Sequence, residues 1–181
     1  MSLIRTNEYN MKAYQAGDIE AFERLYERMQ KPLFSFLFRY TRDEQLSIDI
    51  VQDTFERVQL TKDRYDESKG TVKSYLFQIA YRLMINKLNR RKKWQTIFPF
   101  LTPIARVRLS IDDTLTIQCA ITQLPDKQRA VILLAYYDDL PQNEISQILS
   151  IPVGTVKSRL HTAMAALKEA LKEEFRDEGR H

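Results

Sequence analysis

Along the first ninety residues, apolar side chains recur at intervals of three and four. Phe22, Leu25, Tyr26, Met29, Leu33 and Phe36 fall on one stripe, which predicts a single amphipathic helix. Thr41-Arg42-Asp43-Glu44 has the form of a capping box and opens a second helix, with apolar positions at Ile48, Val51, Phe55 and Val58. A polar loop over residues 61–71, with Gly70 as breaker, leads into a third long segment, residues 72–94. These three segments predict a helical domain over residues 8–94. From 95 to 111 the pattern lapses: Pro99 and Pro103 exclude a continuous helix and neither period holds. We read this stretch as a linker. Ile97, Phe98, Phe100, Leu101 and Ile104 would be costly to leave wet, so it either packs on the chain's own domains or docks on something else. A second helical domain is expected over residues 112–176, divided by Pro125, Pro141 and Pro152. The fold class is therefore all-α, two small domains joined by a linker.

Within the second domain, residues 141–149 read as a short helix, Ser150-Ile151-Pro152 as a tight turn, and Val153 as the start of a longer helix: a helix-turn-helix. Val156, Leu160, Ala163, Leu167 and Leu171 make one stripe, and Ile145 and Leu149 give the preceding helix a face to meet it. The opposite face carries Gly154, Lys157, Ser158, His161 and Thr162, flanked by Thr155 and Arg159. Small residues allow close approach, hydroxyls serve phosphates or bases, and cations reach guanine edges or phosphates. That composition suits the first turns of a helix in a major groove.

Charge sharpens this picture. The net charge is only +4, yet residues 68–111 contain no Asp or Glu and carry Lys69, Lys73, Arg82, Lys87, Arg90, Arg91, Lys92, Lys93, Arg106 and Arg108. The rest of the chain is therefore net acidic. A second acid-free stretch, residues 145–168, holds Lys157, Arg159 and Lys168. Two separate basic surfaces point to a polyanion touched at two places. Residues 74–93, about 30 Å as a helix, are two-sided: Leu76, Phe77, Ala80, Leu83, Met84 and Leu88 group on one side. Tyr75, Gln78, Arg82, Asn86, Asn89, Arg90 and Lys93 group on the other. Cations that hold the backbone, amides that read base edges and an aromatic that can stack on an unpaired base fit DNA that is both grasped and opened. Phe77 and Trp94 are expected in the core.

Composition narrows the remaining classes. The chain is 44% apolar with 4 Gly and 6 Pro, a balance that favours helix over turn-rich sandwiches. One cysteine, Cys119, and two histidines, His161 and His181, make neither a disulfide framework nor the usual zinc cluster, so no metal or cofactor is expected. The longest apolar run, residues 130–137, is far short of the roughly 20 needed to span a bilayer, and the first residues have no apolar signal core. The expectation is a cytoplasmic chain. No Gly-rich phosphate loop or activated nucleophile is evident, and Asp112-Asp113 and Asp138-Asp139 read as capping or loop residues, so no catalytic residue and no small-molecule substrate are expected.

At Leu124-Pro125, Gln128-Arg129, Asn143-Glu144-Ile145 and Val153-Gly154-Thr155-Val156-Lys157-Ser158-Arg159-Leu160, the chain resembles the promoter-reading domain of the small extracytoplasmic-function sigma factors of bacterial RNA polymerase. Asp49-Ile50-Val51-Gln52-Asp53-Thr54-Phe55-Glu56-Arg57-Val58 is similar to that family's surface for the polymerase clamp helices. Phe77-Gln78-Ile79-Ala80 and Asn86-Lys87-Leu88-Asn89-Arg90-Arg91 follow its minus-ten helix. The resemblance implies a transcription initiation factor. Core RNA polymerase would dock through Asp49, Gln52, Asp53, Phe55 and Arg57. The loop over residues 63–73 would capture a flipped base, and Lys69, Lys73, Tyr75, Arg82, Asn86, Asn89, Arg90 and Lys93 would hold the minus-ten element. Gly154, Thr155, Lys157, Ser158, Arg159 and His161 would read the minus-thirty-five element. A dedicated anti-sigma factor is the further partner it implies, besides promoter DNA. Departures stand at Tyr81-Arg82, Asn86 and Thr162, where the family often has Arg-Asn, Asp and Arg, so the promoter sequence cannot be carried over. The competing reading is a stand-alone helix-turn-helix regulator that binds a two-fold operator as a dimer.

Overall fold

Every element of the computed structural model is helical or a turn among the residues described, 6–97 and 115–178. The described residues divide into two compact units, 6–38 with 43–97, and 39–42 with 115–178. In the first, Thr6 caps α1 (Asn7–Gln15) by accepting from the Tyr9 N–H, and Gly17, at φ +107°, turns the chain into α2 (Ile19–Thr41). The apolar period does not announce α1, whose buried residues are Asn10 and Met11. The cap of α3 (Glu44–Leu60) differs from the sequence reading. Thr41 is the last residue of α2, Arg42 turns through φ +56°, and Asp43 is the N-cap, accepting from the Leu46 N–H at 2.8 Å. A carboxylate one turn ahead of the first apolar residue satisfies an orphan N–H as well as a threonine does, and it adds a charge that suits the helix N-terminus.

The loop at 61–71 holds two short 3₁₀ turns, Lys62–Arg64 and Glu67–Lys69. Thr71 Oγ1 accepts from the Ser74 N–H at the start of α4 (Val72–Ile97), which is about 39 Å long and three residues longer than the periodicity suggests. The linker reading is therefore corrected at 95–97, which extend the helix. Its remainder, 98–111, lies outside the described residues, as do Asp112 and Asp113. Leu25, Leu33, Phe36, Leu37, Ile50 and Phe77 form a fully buried core in which Phe36 and Phe77 rings lie 5.4 Å apart. Trp94, expected inside, is 58% exposed, because everything in α4 after residue 90 has left that core.

The second unit packs α5 (Leu115–Gln123), α6 (Asp126–Ile132) with a π-helical turn at Leu133–Tyr137, α7 (Gln142–Leu149) and α8 (Val153–Glu178). Residues 130–134, all apolar, are all buried. Arg129 explains why Leu124-Pro125 and Gln128-Arg129 travel together. Its guanidinium donates to the carbonyls of Ile121, Thr122 and Leu124, acceptors at and just past the end of α5.

Candidate nucleic-acid interface

The turn between α7 and α8 is fixed by two backbone bonds, Ile151 N–H to the Ser146 carbonyl and Ser150 N–H to the Gln147 carbonyl, with Ser150 left-handed at φ +54°. That is the Schellman closure with serine where glycine is usual. Ser146 Oγ adds a bond to the Ile151 carbonyl at 2.6 Å. The Pro152 carbonyl then accepts the first N–H groups of α8, from Thr155 and Val156. Val156, Ala163 and Leu167 are buried, with Leu160 and Leu171 half-buried, as the stripe requires. On α7 the partners are Ile145 and Ile148; Leu149, expected in that role, is only half-buried because the helix ends beneath it.

The other face of α8 keeps its side chains outward. Gly154, Lys157, Ser158 and His161 are exposed, Thr155 and Arg159 half-buried, and no ion pair to Lys157 or Arg159 occurs among the described residues. Thr162 is exposed but its hydroxyl bonds back to the Ser158 carbonyl at 2.9 Å. Gly154 is informative because the fold does not need it: a Cβ built there meets nothing within 4 Å.

The basic charge of α4 divides between two faces. Lys87 and Arg91, one turn apart, point at α3, where Lys87 pairs with Asp53 and Arg91 with Asp43, each at 2.7 Å. Burial pushes the Asp43 carboxyl up, but the Arg91 hydrogen bond, the Leu46 N–H and the Arg91 charge outweigh it and hold the carboxyl below its ordinary 3.8. Arg82, Asn86, Asn89, Arg90 and Lys93 remain exposed on the outward side. Tyr75 does not join them. It is half-buried, its ring 5.5 Å from that of Tyr65 and its hydroxyl directed at Thr61, so it closes the loop rather than offering a stacking face. Lys73 lies over the Phe77 ring at 5.7 Å, and Lys69, at the loop surface, pairs with Asp66 at 3.4 Å. The Ser68 hydroxyl and N–H both donate to Asp66 Oδ1, which keeps that carboxyl below 3.8.

On α3, Gln52 and Arg57 are exposed, while Asp49 is half-buried and accepts from Gln45 at 2.9 Å. Asp53 is committed to Lys87 as described. Phe55 is 3% exposed and packs edge-on against Tyr26 at 4.7 Å, so its side chain belongs to the core and not to a docking surface. Aromatic character reaches that surface from α2 instead: Tyr26 and Phe34, with Lys31, Ile48, Val51 and Gln52, line a groove of about 190 Å³. The periodicity placed Ile48 with the core, but it is 37% exposed and faces this groove. The ion pairs of Lys87 and Arg91 were not legible from spacing within α4 alone. The signal that could have found them is a pair of acids, Asp43 and Asp53, on the preceding helix.

Two helical units, each with an outward basic face and one a helix-turn-helix, define a two-domain all-α protein with two cationic surfaces. Residues 25–94 match the family Sigma-70 region 2, and residues 114–167 match Sigma-70, region 4. The chain is 30% identical over 180 residues to the ECF RNA polymerase sigma factor SigW of Bacillus subtilis (strain 168), covering 90% of this chain and 95% of that one. It is 30% identical over 164 residues to the ECF RNA polymerase sigma factor SigM of the same organism, covering 86% and 98%. In fold it is similar to the sigma factor RpoE of Bartonella quintana, solved in complex with the anti-sigma factor NepR, at TM-score 0.73 and 21% identity over 85% of this chain and 98% of that one. The chain belongs to the extracytoplasmic-function group of RNA polymerase sigma factors. No helix among the described residues is long and apolar enough to cross a membrane.

Proposed function

We propose that this sigma factor divides its work between its two units in the order its faces follow along the chain. It is a transcription initiation factor that binds core RNA polymerase and promoter DNA. The exposed side of α3, with Asp49, Gln52, Asp53 and Arg57, docks on core polymerase. The loop at 63–73 takes an unpaired base of the non-template strand, and Arg82, Asn86, Asn89, Arg90 and Lys93 hold the minus-ten element. Gly154, Thr155, Lys157, Ser158, Arg159 and His161 meet the minus-thirty-five element in the major groove. The functional domains are residues 8–94 and 112–176, with the first helical body reaching Ile97. The chain acts in the cytoplasm, performs no chemistry of its own, and is held in check by an anti-sigma protein, as the Bartonella quintana sigma factor is bound by one.

The observation that carries this reading is the outward face of α4 together with that of α8: two basic helix faces, in regions matched to region 2 and region 4 in that order. Purified chain and core polymerase, added to a library of genomic fragments and scored by run-off transcription, test it. Start sites should appear that neither component gives alone. A specific two-fold footprint by the chain without core, and no transcript with core, would return the molecule to the class of stand-alone regulators.

A further inference from the structure

α1 precedes the stretch matched to region 2, and no residue in it has been given a part in binding polymerase or DNA. Its side chains nevertheless converge on the loop at 61–71. Gln15 Nε2 donates to the carbonyls of Lys62, at 2.8 Å, and Tyr65, at 3.1 Å, one at each end of the first 3₁₀ turn. Lys12 pairs with Glu67 in the second turn. Glu8 Oε1 accepts from the Val72 N–H where the loop enters α4, at 3.3 Å, and the Lys62 ammonium lies over the Tyr14 ring at 5.2 Å. The two 3₁₀ turns and the first turn of α4 are thus held from one side.

The inner surface of the loop is equally committed. Tyr65, 7% exposed, donates its hydroxyl to the Gly70 carbonyl at 3.2 Å, and Tyr75 packs on its ring. Asp63, Arg64, Ser68 and Lys69 are left outward. A loop with so little regular structure would lose much backbone freedom on gripping a single base, and restraint built into the fold removes that cost from binding. A primary amide suits the anchor point, because its two N–H bonds serve two carbonyls at once.

We infer that α1 is a brace for the base-capturing loop and that Gln15 is its positioning residue, setting the backbone between Lys62 and Tyr65 that presents Asp63 and Arg64. The inference rests on the reading of this loop as the base-capturing element. Gln15→Met keeps the side chain's length and removes both donors. Gln15→Glu turns acceptors toward the same carbonyls.

The test measures holoenzyme binding to a short fluorescent single strand carrying the non-template minus-ten bases of a promoter the holoenzyme transcribes. Core affinity and binding to a duplex upstream element are measured beside it. Both Gln15 variants should bind the single strand about fivefold to tenfold more weakly, with the other two affinities unchanged. Asp63→Ala with Arg64→Ala should weaken the same binding. If that loop variant binds as the parent does, the base-capture reading is wrong and the brace loses its purpose. If it weakens binding while the Gln15 variants do not, the brace alone is overturned. A Gln15 variant that loses core affinity in proportion is merely misfolded, and the ion pair then decides. Lys12→Glu should weaken single-strand binding about twofold, and adding Glu67→Lys should restore it. Failure of that rescue overturns the inference.

Discussion

Gly154→Ala separates what the fold wants at the start of α8 from what a bound duplex wants. Gly154 is exposed, its backbone is not left-handed, and a Cβ built there meets nothing within 4 Å. The methyl group therefore costs the folded chain nothing and removes freedom from the unfolded one, which should stabilise by about 0.5–1 kcal/mol. For a domain of this size that is a rise of roughly 2–8 °C in the melting temperature of the second unit. Against DNA the sign reverses. If the first turn of α8 lies in the major groove, the methyl intrudes where backbone approaches base edges or phosphate, and displacing one good contact costs about 1–3 kcal/mol, roughly fivefold to more than a hundredfold in affinity. Glycine carries no charge, so the salt dependence of binding should keep its slope. Circular dichroism melts of the full chain, with holoenzyme titrations of a duplex upstream element at several salt concentrations, read both effects. A higher melting temperature with unchanged affinity would show that this turn does not approach DNA closely. A lower melting temperature would show that the space around Gly154 is not as open as its geometry indicates.

The two neighbouring arginines of α4 should behave differently: Arg90→Ala should reduce the salt slope of promoter binding by about 1 and leave stability alone. Arg91→Ala, which breaks the 2.7 Å pair with Asp43, should cost about 0.5–1 kcal/mol in a urea melt and barely change that slope. Equal slopes for the two variants would refute the division of the helix into inward and outward cations. Asp43, held below 3.8 in the folded chain, contributes stability that is present above 3.8 and is lost as pH falls through its lowered folded value. The stability gap between the parent and Asp43→Asn should therefore close in acid melts below about that pH, and a gap that persists would contradict it. Gln52→Ala alone should weaken core binding without disturbing the fold, since Gln52 is exposed while Asp53 also holds Lys87. A variant that competes for core as well as the parent would remove Gln52 from the docking surface.

The face of α8 was legible from sequence because a surface helix buries one stripe, and Val156, Ala163 and Leu167 fix that stripe locally. Once it is fixed, every residue opposite must look outward, and only the last apolar position of α7 was misjudged. The fourth helix, α4, offered no such shortcut. Its cations surround it, and the pattern of charge is the same whether a lysine meets water or an acid. Which of them are left outward depends on where α3 brings Asp43 and Asp53, 48 residues from Arg91 in the first case. Trp94 was misplaced for a related reason: periodicity says that a residue is apolar, not that a neighbouring helix is long enough to cover it.

Caps and turns show the same boundary between local and distant causes. Either Thr41 or Asp43 could have capped α3, since both are good acceptors shortly before the first buried residue, Leu46, and the backbone turn at Arg42 decides between them. α1 lay below the threshold of periodicity because only two adjacent residues, Asn10 and Met11, are buried in it. Gln15 reaches carbonyls 47 and 50 residues away, and nothing in the spelling of a short polar helix marks the loop it will meet. The parts of this chain that a single sequence discloses are those where one helix suffices to set inside and outside. The parts it withholds are those where one element restrains another, and the proposed brace on the loop at 61–71 belongs to that second kind.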